Sequence, residues 1–476
     1  MSHSSMTTVE VVPGGPVNGS IRPPGSKSLT NRALICAAFA SGTEPSRLSG
    51  ALHSEDTEVM IDAVRKIGCK IDSFDGGTEL HVSGVGGRPT SQLAESLYIA
   101  NSGTSIRFLT AALAAFGGKY DLHGVERMHQ RPIGDLVDAI ATVINGQIHT
   151  ESSGGCPPVR IDGQGWSHDQ LSVRGNVSSQ YLSGLMMAAP IARGQRVSEP
   201  IGGEPMPPSI VTVDGELVSR PYVEMTAETM RRFGAQVSLL DEVPGQSSTS
   251  SDSKMDPRLA VHVGGSGYRS TAYAIEPDAS AASYFWATAA ISGGQITVEG
   301  LSADALQGDV GFVDVMESMG CQVDRTAESI TVTGAELMGV DVDMNQISDT
   351  VQTLAMVALF ADGPTRVRNV AHNRFKETDR IGDLAREIRK MGARVDEHDD
   401  GMTIHPFEAD SRDQRCDVVL DTYNDHRMAM SFALPGLRRP GIRIADPACT
   451  AKTYPEFFAD FEQLIGRAHR WTSRDG

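Results

Sequence analysis

One helical pattern recurs along this chain and limits what it can fold into. Three apolar residues are spaced four and then three positions apart and end in Gly; Ala or Cys, any residue, and Val or Ile follow. Met60, Val64, Ile67 and Gly68 run into Cys69 and Ile71 in this way. Phe312, Met316, Met319 and Gly320 run into Cys321 and Val323, and Leu384, Ile388, Met391 and Gly392 into Ala393 and Val395. Thr226, Met230, Phe233 and Gly234 repeat it with a polar first position, and looser versions end at Gly146 and Gly466. The spacing puts the apolar residues on one helical face, and Gly suits the left-handed position that closes a helix. The β-prone tail then reads as a strand entered directly from the helix. Successive glycines lie 78, 88, 86, 72 and 74 residues apart. Six α/β units of that size account for the chain, where two unrelated domains would not repeat.

With 476 residues the chain exceeds one ordinary core, so at least two domains are expected. Its 40% apolar and 21% charged residues fit a globular protein. A net charge of −18 argues against a nucleic-acid partner but leaves small anionic substrates open, because local basic clusters decide those. Met1 to Pro16 lacks the basic-then-apolar order of a signal peptide, and no run of about 18 apolar residues predicts a membrane span. The six cysteines, Cys36, Cys69, Cys156, Cys321, Cys416 and Cys449, are scattered, which predicts reduced thiols in a cytoplasmic protein. A Ser-rich stretch at about 241–256 reads as a flexible surface insertion.

Several segments carry charge where a helix begins. Pro23-Pro24-Gly25-Ser26-Lys27-Ser28, with Arg32 beyond, leads into an apolar helix from Ala33 to Ala40, offering free N–H groups and two cations to an anion. It is not a phosphate-binding P-loop, because Ser26 precedes the lysine. Asn101-Ser102-Gly103-Thr104-Ser105-Ile106-Arg107 opens a second helix, Phe108 to Phe116. Arg127 and Arg131, four apart, lie beside a proline suited to start a third. Ser178-Ser179-Gln180-Tyr181 supplies hydroxyls and an amide ahead of Leu182 to Pro190, and Ser219-Arg220-Pro221-Tyr222 is similar. Asp349 precedes the helix-like Val351 to Phe360, and the segment from Arg374 to Arg380 packs five ionisable groups into seven residues. Asn424-Asp425-His426-Arg427 and Thr450-Ala451-Lys452-Thr453 add cations. A carboxylate beside lysines and arginines is either a structural ion pair or a tuned acid/base, and both readings stay open here. No H-E-x-x-H, Cys/His ligand spacing or G-x-G-x-x-G occurs, so neither a metal nor an organic cofactor is expected.

Taken in order, PPGSKSLTNRAL, NSGTSIRFLTAAL, ERMHQRPIGDLVDA, GNVSSQYLSGL, IEPDASAASYF, RFKETDRI, NDHRMAM and CTAKTYPEF resemble the 5-enolpyruvylshikimate-3-phosphate synthase family from about Pro23 to Leu464. The resemblance implies an α/β fold of two lobes, each made of three repeated units with pseudo-threefold symmetry. Residues 1–24 with 276–476 would form one lobe and 25–275 the other. It implies an enolpyruvyl transferase that joins phosphoenolpyruvate to the 5-hydroxyl of shikimate-3-phosphate and releases phosphate, with no cofactor, and acts as a monomer. By motif position Lys27, Ser28, Arg32, Ser178, Ser179, Gln180, Ser219, Tyr222, Asp349 and Lys376 would bind shikimate-3-phosphate. Lys27, Gly103, Arg131, Gln180, Arg380, Arg427 and Lys452 would hold phosphoenolpyruvate, and Lys27, Asp349 and Glu377 would be catalytic. The chemistry agrees with that division, since a methylene must gain a proton and a hydroxyl must lose one.

Three positions depart from the family pattern. Phe108 stands where proline is usual and Ser102 where alanine is, both on the helix bordering the expected phosphoenolpyruvate pocket, and His372 stands where Asn or Ser often is. The nearest rival is the sister transferase acting on UDP-N-acetylglucosamine, which relies on a cysteine-bearing loop; no cysteine lies between Cys69 and Cys156. A catalytically dead anion-binding homologue is the rival of another class, and the retention of Lys27, Asp349, Glu377 and the arginines speaks against it.

Overall fold

The computed structural model describes residues 7–86, 94–152, 154–196, 207–242, 258–265 and 267–472. The chain divides into two compact units, Met1–Pro24 with Glu276–Gly476, and Gly25–Ile275. Among the described residues each unit contains three four-stranded sheets, and these six have one topology. In the sheet of Ala94–Tyr98, Gly118–His123, Ile144–Thr150 and Val159–Trp166, helices Gly103–Phe116 and Gly134–Ala141 follow the first and second strands. The first two strands pair in parallel, and the fourth lies antiparallel between the second and third. This β-α-β-α-β-β unit is what the recurring glycine pattern encodes.

Three of the six units complete themselves with a strand from elsewhere in the chain. Ala272–Ala274 lies parallel to Ser46–Ser49, Asn18–Ile21 lies parallel to Gln295–Glu299, and Thr8–Glu10 fills the gap between Ile442–Ala445 and Arg470–Thr472. A parallel pair needs a crossover, so a strand placed first in a sheet can be supplied by any segment that the chain returns to that edge.

The two helices of each repeat differ in kind. The recurring pattern marks the second, and Gly68, Gly234, Gly320, Gly392 and Gly466 all take positive φ at or just past its end, although the first helices Gly103–Phe116 and Ala279–Ser292 also close on glycines of positive φ, Gly117 and Gly293. Gly146 also takes positive φ, but it lies inside strand Ile144–Thr150, because helix Gly134–Ala141 has already ended. The first helix is apolar nearly all round and forms the core: Gly103–Phe116 and Val351–Ala358 are buried at every residue, and Ala279–Ser292 at all but the last. These core helices begin earlier than their apolar runs suggest, at Lys27, Gly103 and Ser179, and the first ends at Ala38 rather than Ala40.

The expected insertion at about 241–256 begins inside strand Gln236–Glu242, so Asp241 and Glu242 are strand residues; from 243 on it lies outside the described residues. All six cysteines are free thiols, and burial raises the pKa of Cys36, Cys69 and Cys449 to about 12. Among the described residues no helix is long and apolar enough to cross a membrane.

Candidate active site

The polar residues singled out from sequence cluster where helices start, both the core helices and the second helices of the repeats. That placement follows from the repeat: a buried helix must begin in a turn, and its unpaired N–H groups need polar company. In the Gly25–Ile275 unit, Ser26 caps helix Lys27–Ala38 by accepting from the Leu29 amide at 3.4 Å. Lys27 follows, buried, with Nζ 3.4 Å from the Asp56 carboxylate.

Arg32, one turn on, is 1% exposed. Its Nε donates to Thr226 Oγ1 at 2.7 Å, and its terminal nitrogens donate to the carbonyls of Ser28 and Tyr222 at 2.9 and 3.2 Å. The Phe108 ring centroid lies 5.1 Å from the guanidinium carbon and that of Tyr222 lies 6.0 Å away. Phe108, the departure from proline, is therefore an aromatic bed for Arg32. Burial lowers the Arg32 pKa to about 10. Thr226 in turn donates to Ser183 Oγ at 2.9 Å, which ties the helix opened by Ser179 to this arginine.

The other departure also has a local cause. Ser102 caps helix Gly103–Phe116, its Oγ accepting from the Ser105 amide and lying 2.8 Å from the Ser105 hydroxyl, which alanine could not do. Gly103 is required for a different reason. A Cβ there would lie 2.4 Å from Nη2 of Arg131, whose Nη1 donates to the Asn101 carbonyl at 2.9 Å. Gln180 is held by Arg107, which donates to its Oε1 at 2.6 Å and to the Pro132 carbonyl at 3.2 Å. Ser178 Oγ accepts from the Gln180 amide, Ser179 is buried, and Ser219 is a buried residue with φ +54 beside Tyr222.

The Glu276–Gly476 part of the other unit holds a denser arrangement around Arg380, also 1% exposed. Its Nη1 lies 3.1 Å from Asp349, its Nη2 lies 2.9 Å from Glu377, and its Nε lies 2.7 Å from Asp425. Arg427 Nη2 is 2.8 Å from the second oxygen of Asp349, Lys376 is 3.7 Å from the first, and Lys452 is 2.9 Å from Glu377. Four cations thus interlock with three carboxylates. Burial pulls the Arg380 pKa down, but Asp425, Glu377 and Asp349 outweigh it and raise the net value. His372 is buried close by, and desolvation, then the Lys376 charge, drives its pKa down to about 3, so it is neutral.

Every site residue expected from sequence falls in one of these two sets. Three partners were not foreseen as site residues: Asp56 beneath Lys27, Arg107 behind Gln180, and Asp425 beneath Arg380. Asp425 carried the clearest sequence signal, an acidic cap at the start of helix His426–Phe432, whose Arg427 amide donates to it at 2.9 Å.

Comparison with known proteins agrees across the length of the chain. A family model described as EPSP synthase (3-phosphoshikimate 1-carboxyvinyltransferase) matches residues 11–461. A 3-phosphoshikimate 1-carboxyvinyltransferase from Trichormus variabilis is 41% identical over 454 residues, covering 95% of this chain and 97% of its own. One from Marinomonas is 39% identical over 460 residues, covering 96% of this chain and all of its own. Among solved structures, an EPSP synthase from Acinetobacter baumannii superposes with a TM-score of 0.75 at 25% identity, covering 98% of this chain and 100% of that one. The enolpyruvyl transferase NikO from Streptomyces tendae shares the fold at a TM-score of 0.70 and 18% identity, over 99% of this chain and 100% of its own.

Proposed function

We propose that this chain, which belongs to the EPSP synthase (3-phosphoshikimate 1-carboxyvinyltransferase) family, uses Asp349 and Glu377 as its proton-handling pair and the surrounding cations as its anion clamp. The reaction is transfer of the enolpyruvyl group of phosphoenolpyruvate to the 5-hydroxyl of shikimate-3-phosphate, with release of phosphate, in the shikimate pathway of aromatic amino acid biosynthesis. The observation that carries the residue assignment is one guanidinium, Arg380, bracing both carboxylates at 3.1 and 2.9 Å.

In the addition step the methylene carbon of phosphoenolpyruvate takes a proton and the 5-hydroxyl oxygen attacks the adjacent carbon as it loses one. Glu377 gives the proton to the methylene, and Asp349, with Lys27, takes the hydroxyl proton. In the elimination step a methyl proton returns and the carbon–phosphate oxygen bond breaks, reusing the same pair. Arg380, Arg427 and Lys452, with Arg131 beside Gly103, hold the carboxylate and phosphate of phosphoenolpyruvate. Arg32, Ser28, the Ser178–Gln180 turn, Ser219 and Tyr222 bind shikimate-3-phosphate on the phosphate side, and Lys376 with Asp349 binds its ring hydroxyls. Fixing both reactants before chemistry removes much of the entropic barrier. The two units of the chain serve as the enzyme's two lobes, and it works as a cytoplasmic monomer.

Phosphate release from phosphoenolpyruvate and shikimate-3-phosphate, each alone and then together, tests the reading. Release is expected only with both. Glu377→Gln is expected to lower kcat by about 10²–10⁴-fold, the usual contribution of a positioned acid or base; near-full turnover would sink its assignment. Release with UDP-N-acetylglucosamine in place of shikimate-3-phosphate would point to the sister reaction. A light-scattering mass above that of one chain would remove the monomer.

A further inference from the structure

Glu387 is a carboxylate with 0% exposure that the chemistry above does not use. It sits on helix Gly382–Lys390, whose other face is strongly charged. Burying a carboxylate is costly unless its oxygens are satisfied, and these are. Oε1 accepts from the Tyr423 hydroxyl at 2.5 Å, and Oε2 accepts from the Asp421 amide at 3.0 Å and lies 2.8 Å from Lys390 Nζ. Both of its protein contacts outside its own helix are therefore to the segment just before Asp425.

That segment needs holding. Tyr423 and Asn424 have φ of +53° and +54°, two consecutive non-glycine residues in the left-handed region, which side chains disfavour. The double reversal turns the chain so that Asp425, with 0% exposure, meets Arg380 at 2.7 and 3.1 Å and caps the Arg427 amide. The same helix grips Tyr423 a second time. Arg386 Nη1 lies 3.1 Å from the Tyr423 hydroxyl and 2.5 Å from Asp383, and Asp383 accepts from the Thr378 hydroxyl beside Glu377. One helix thus ties the loop bearing Glu377 and Arg380 to the loop bearing Asp425 and Arg427.

We propose that the Glu387–Tyr423 hydrogen bond is a positioning device that sets Arg380 and Arg427 for the carboxylate of phosphoenolpyruvate. It rests on the assignment of those two arginines made above. Neither Glu387 nor Tyr423 is a catalytic residue; they act through Asp425, the Asp349 clamp and the loop conformation. The device is specific in what it should affect. Loosening it displaces two phosphoenolpyruvate ligands directly and reaches shikimate-3-phosphate only through Asp349, which both arginines contact; the Arg32 and Ser178–Gln180 groups assigned to that substrate belong to the other unit.

The test is steady-state kinetics on the full-length Tyr423→Phe variant, which loses one hydroxyl and keeps the ring packed against Arg386. KM for phosphoenolpyruvate is expected to rise about threefold to tenfold, the equivalent of one net hydrogen bond. KM for shikimate-3-phosphate should rise by less, because among its assigned ligands only Asp349 contacts the two arginines. Glu387→Gln, which keeps an acceptor for Tyr423, should rescue most of the defect seen in Glu387→Leu. Equal rises in both KM values with a lowered Tm would mean a merely structural role and overturn the proposal, as would unchanged KM values. If Tyr423→Phe does not fold, the Gln-against-Leu comparison decides by the same split. A wild-type enzyme that released no phosphate with both substrates would instead count against the functional reading itself.

Discussion

Arg32 and Arg380 are each about 1% exposed and belong to different units, yet the chain has accommodated the two charges in opposite ways. Arg32 is surrounded by a hydroxyl, two backbone carbonyls and two aromatic rings. Those dipoles solvate the guanidinium without cancelling its charge, and burial accordingly draws its pKa to about 10. Arg380 is ringed by three carboxylates that cancel its charge and more. The first solution leaves the guanidinium charge uncancelled by any carboxylate among the contacts described above, whereas the second holds three carboxylates at fixed positions beside cations. Burial alone did not dictate either outcome; the neighbours did.

The sharpest way to break this contrast is to remove each arginine by a side chain of similar length. Arg380→Met would leave Asp425 without its buried guanidinium and take one cation each from Asp349 and Glu377, which keep Arg427, Lys376 and Lys452, and is expected to cost about 3–5 kcal/mol of folding stability in urea titration. A loss below about 1 kcal/mol, the value of an exposed pair, would mean the carboxylates do not depend on it. Arg32→Met strands only uncharged partners and should cost less, about 1–3 kcal/mol, while raising KM for shikimate-3-phosphate more than for phosphoenolpyruvate. If the two losses were equal, the distinction between dipolar and ionic solvation would not matter to this fold.

A third prediction sharpens the picture of the carboxylate-rich region. His372 is ordinarily expected near pKa 6.5 and is lowered to about 3 by burial, so between those values the unfolded chain binds a proton that the folded one refuses. Its contribution is therefore intact above about pH 6.5 and is lost as pH falls toward 3. Melting temperature measured from pH 7 downward should fall less steeply in His372→Asn than in the wild type, and parallel curves would refute the assignment. The smallest expected effect lies in the Arg32 region. Ser219 sits at φ +54, so Ser219→Gly should gain up to about 1 kcal/mol in stability by relieving that conformation. Any loss of shikimate-3-phosphate affinity alongside it would report the hydroxyl's share.

The repeat was legible because its signal is local: a helix that ends on glycine and a strand that follows it leave the same imprint in five of the six units. The core helices were harder. Helix Gly103–Phe116 has no polar face to mark its extent, and its first turn is made of the polar residues that look like a loop. Reading it as Phe108 to Phe116 mistook the buried polar turn for the helix's exterior. Gly146 misled in the opposite sense, as a glycine whose positive φ serves a strand. In the site, the residues that announce themselves are those in dense charged runs, such as Lys376, Glu377 and Arg380. Asp56, Arg107 and Asp425 act through partners distant in sequence, and pairing of that kind is fixed by how the repeats pack. Even so, a carboxylate capping a helix that begins with His426-Arg427 is a pattern worth reading as a buried anchor.

The strand Thr8–Glu10 lies between Ile442–Ala445 and Arg470–Thr472. On the ribosome this means that Thr8–Glu10 must wait for Arg470–Thr472. The stretch from Gly25 to Ile275 can fold while the rest is still being made, whereas the unit holding Asp349, Glu377 and Arg380 closes its final sheet only after residue 472 has been added. At the usual 5–20 residues per second, that delay lasts roughly half a minute to a minute and a half for a chain of this length. A chain stalled short of Arg470 therefore lacks the last strand of the sheet that Thr8–Glu10 joins, in the unit that carries Asp349, Glu377 and Arg380.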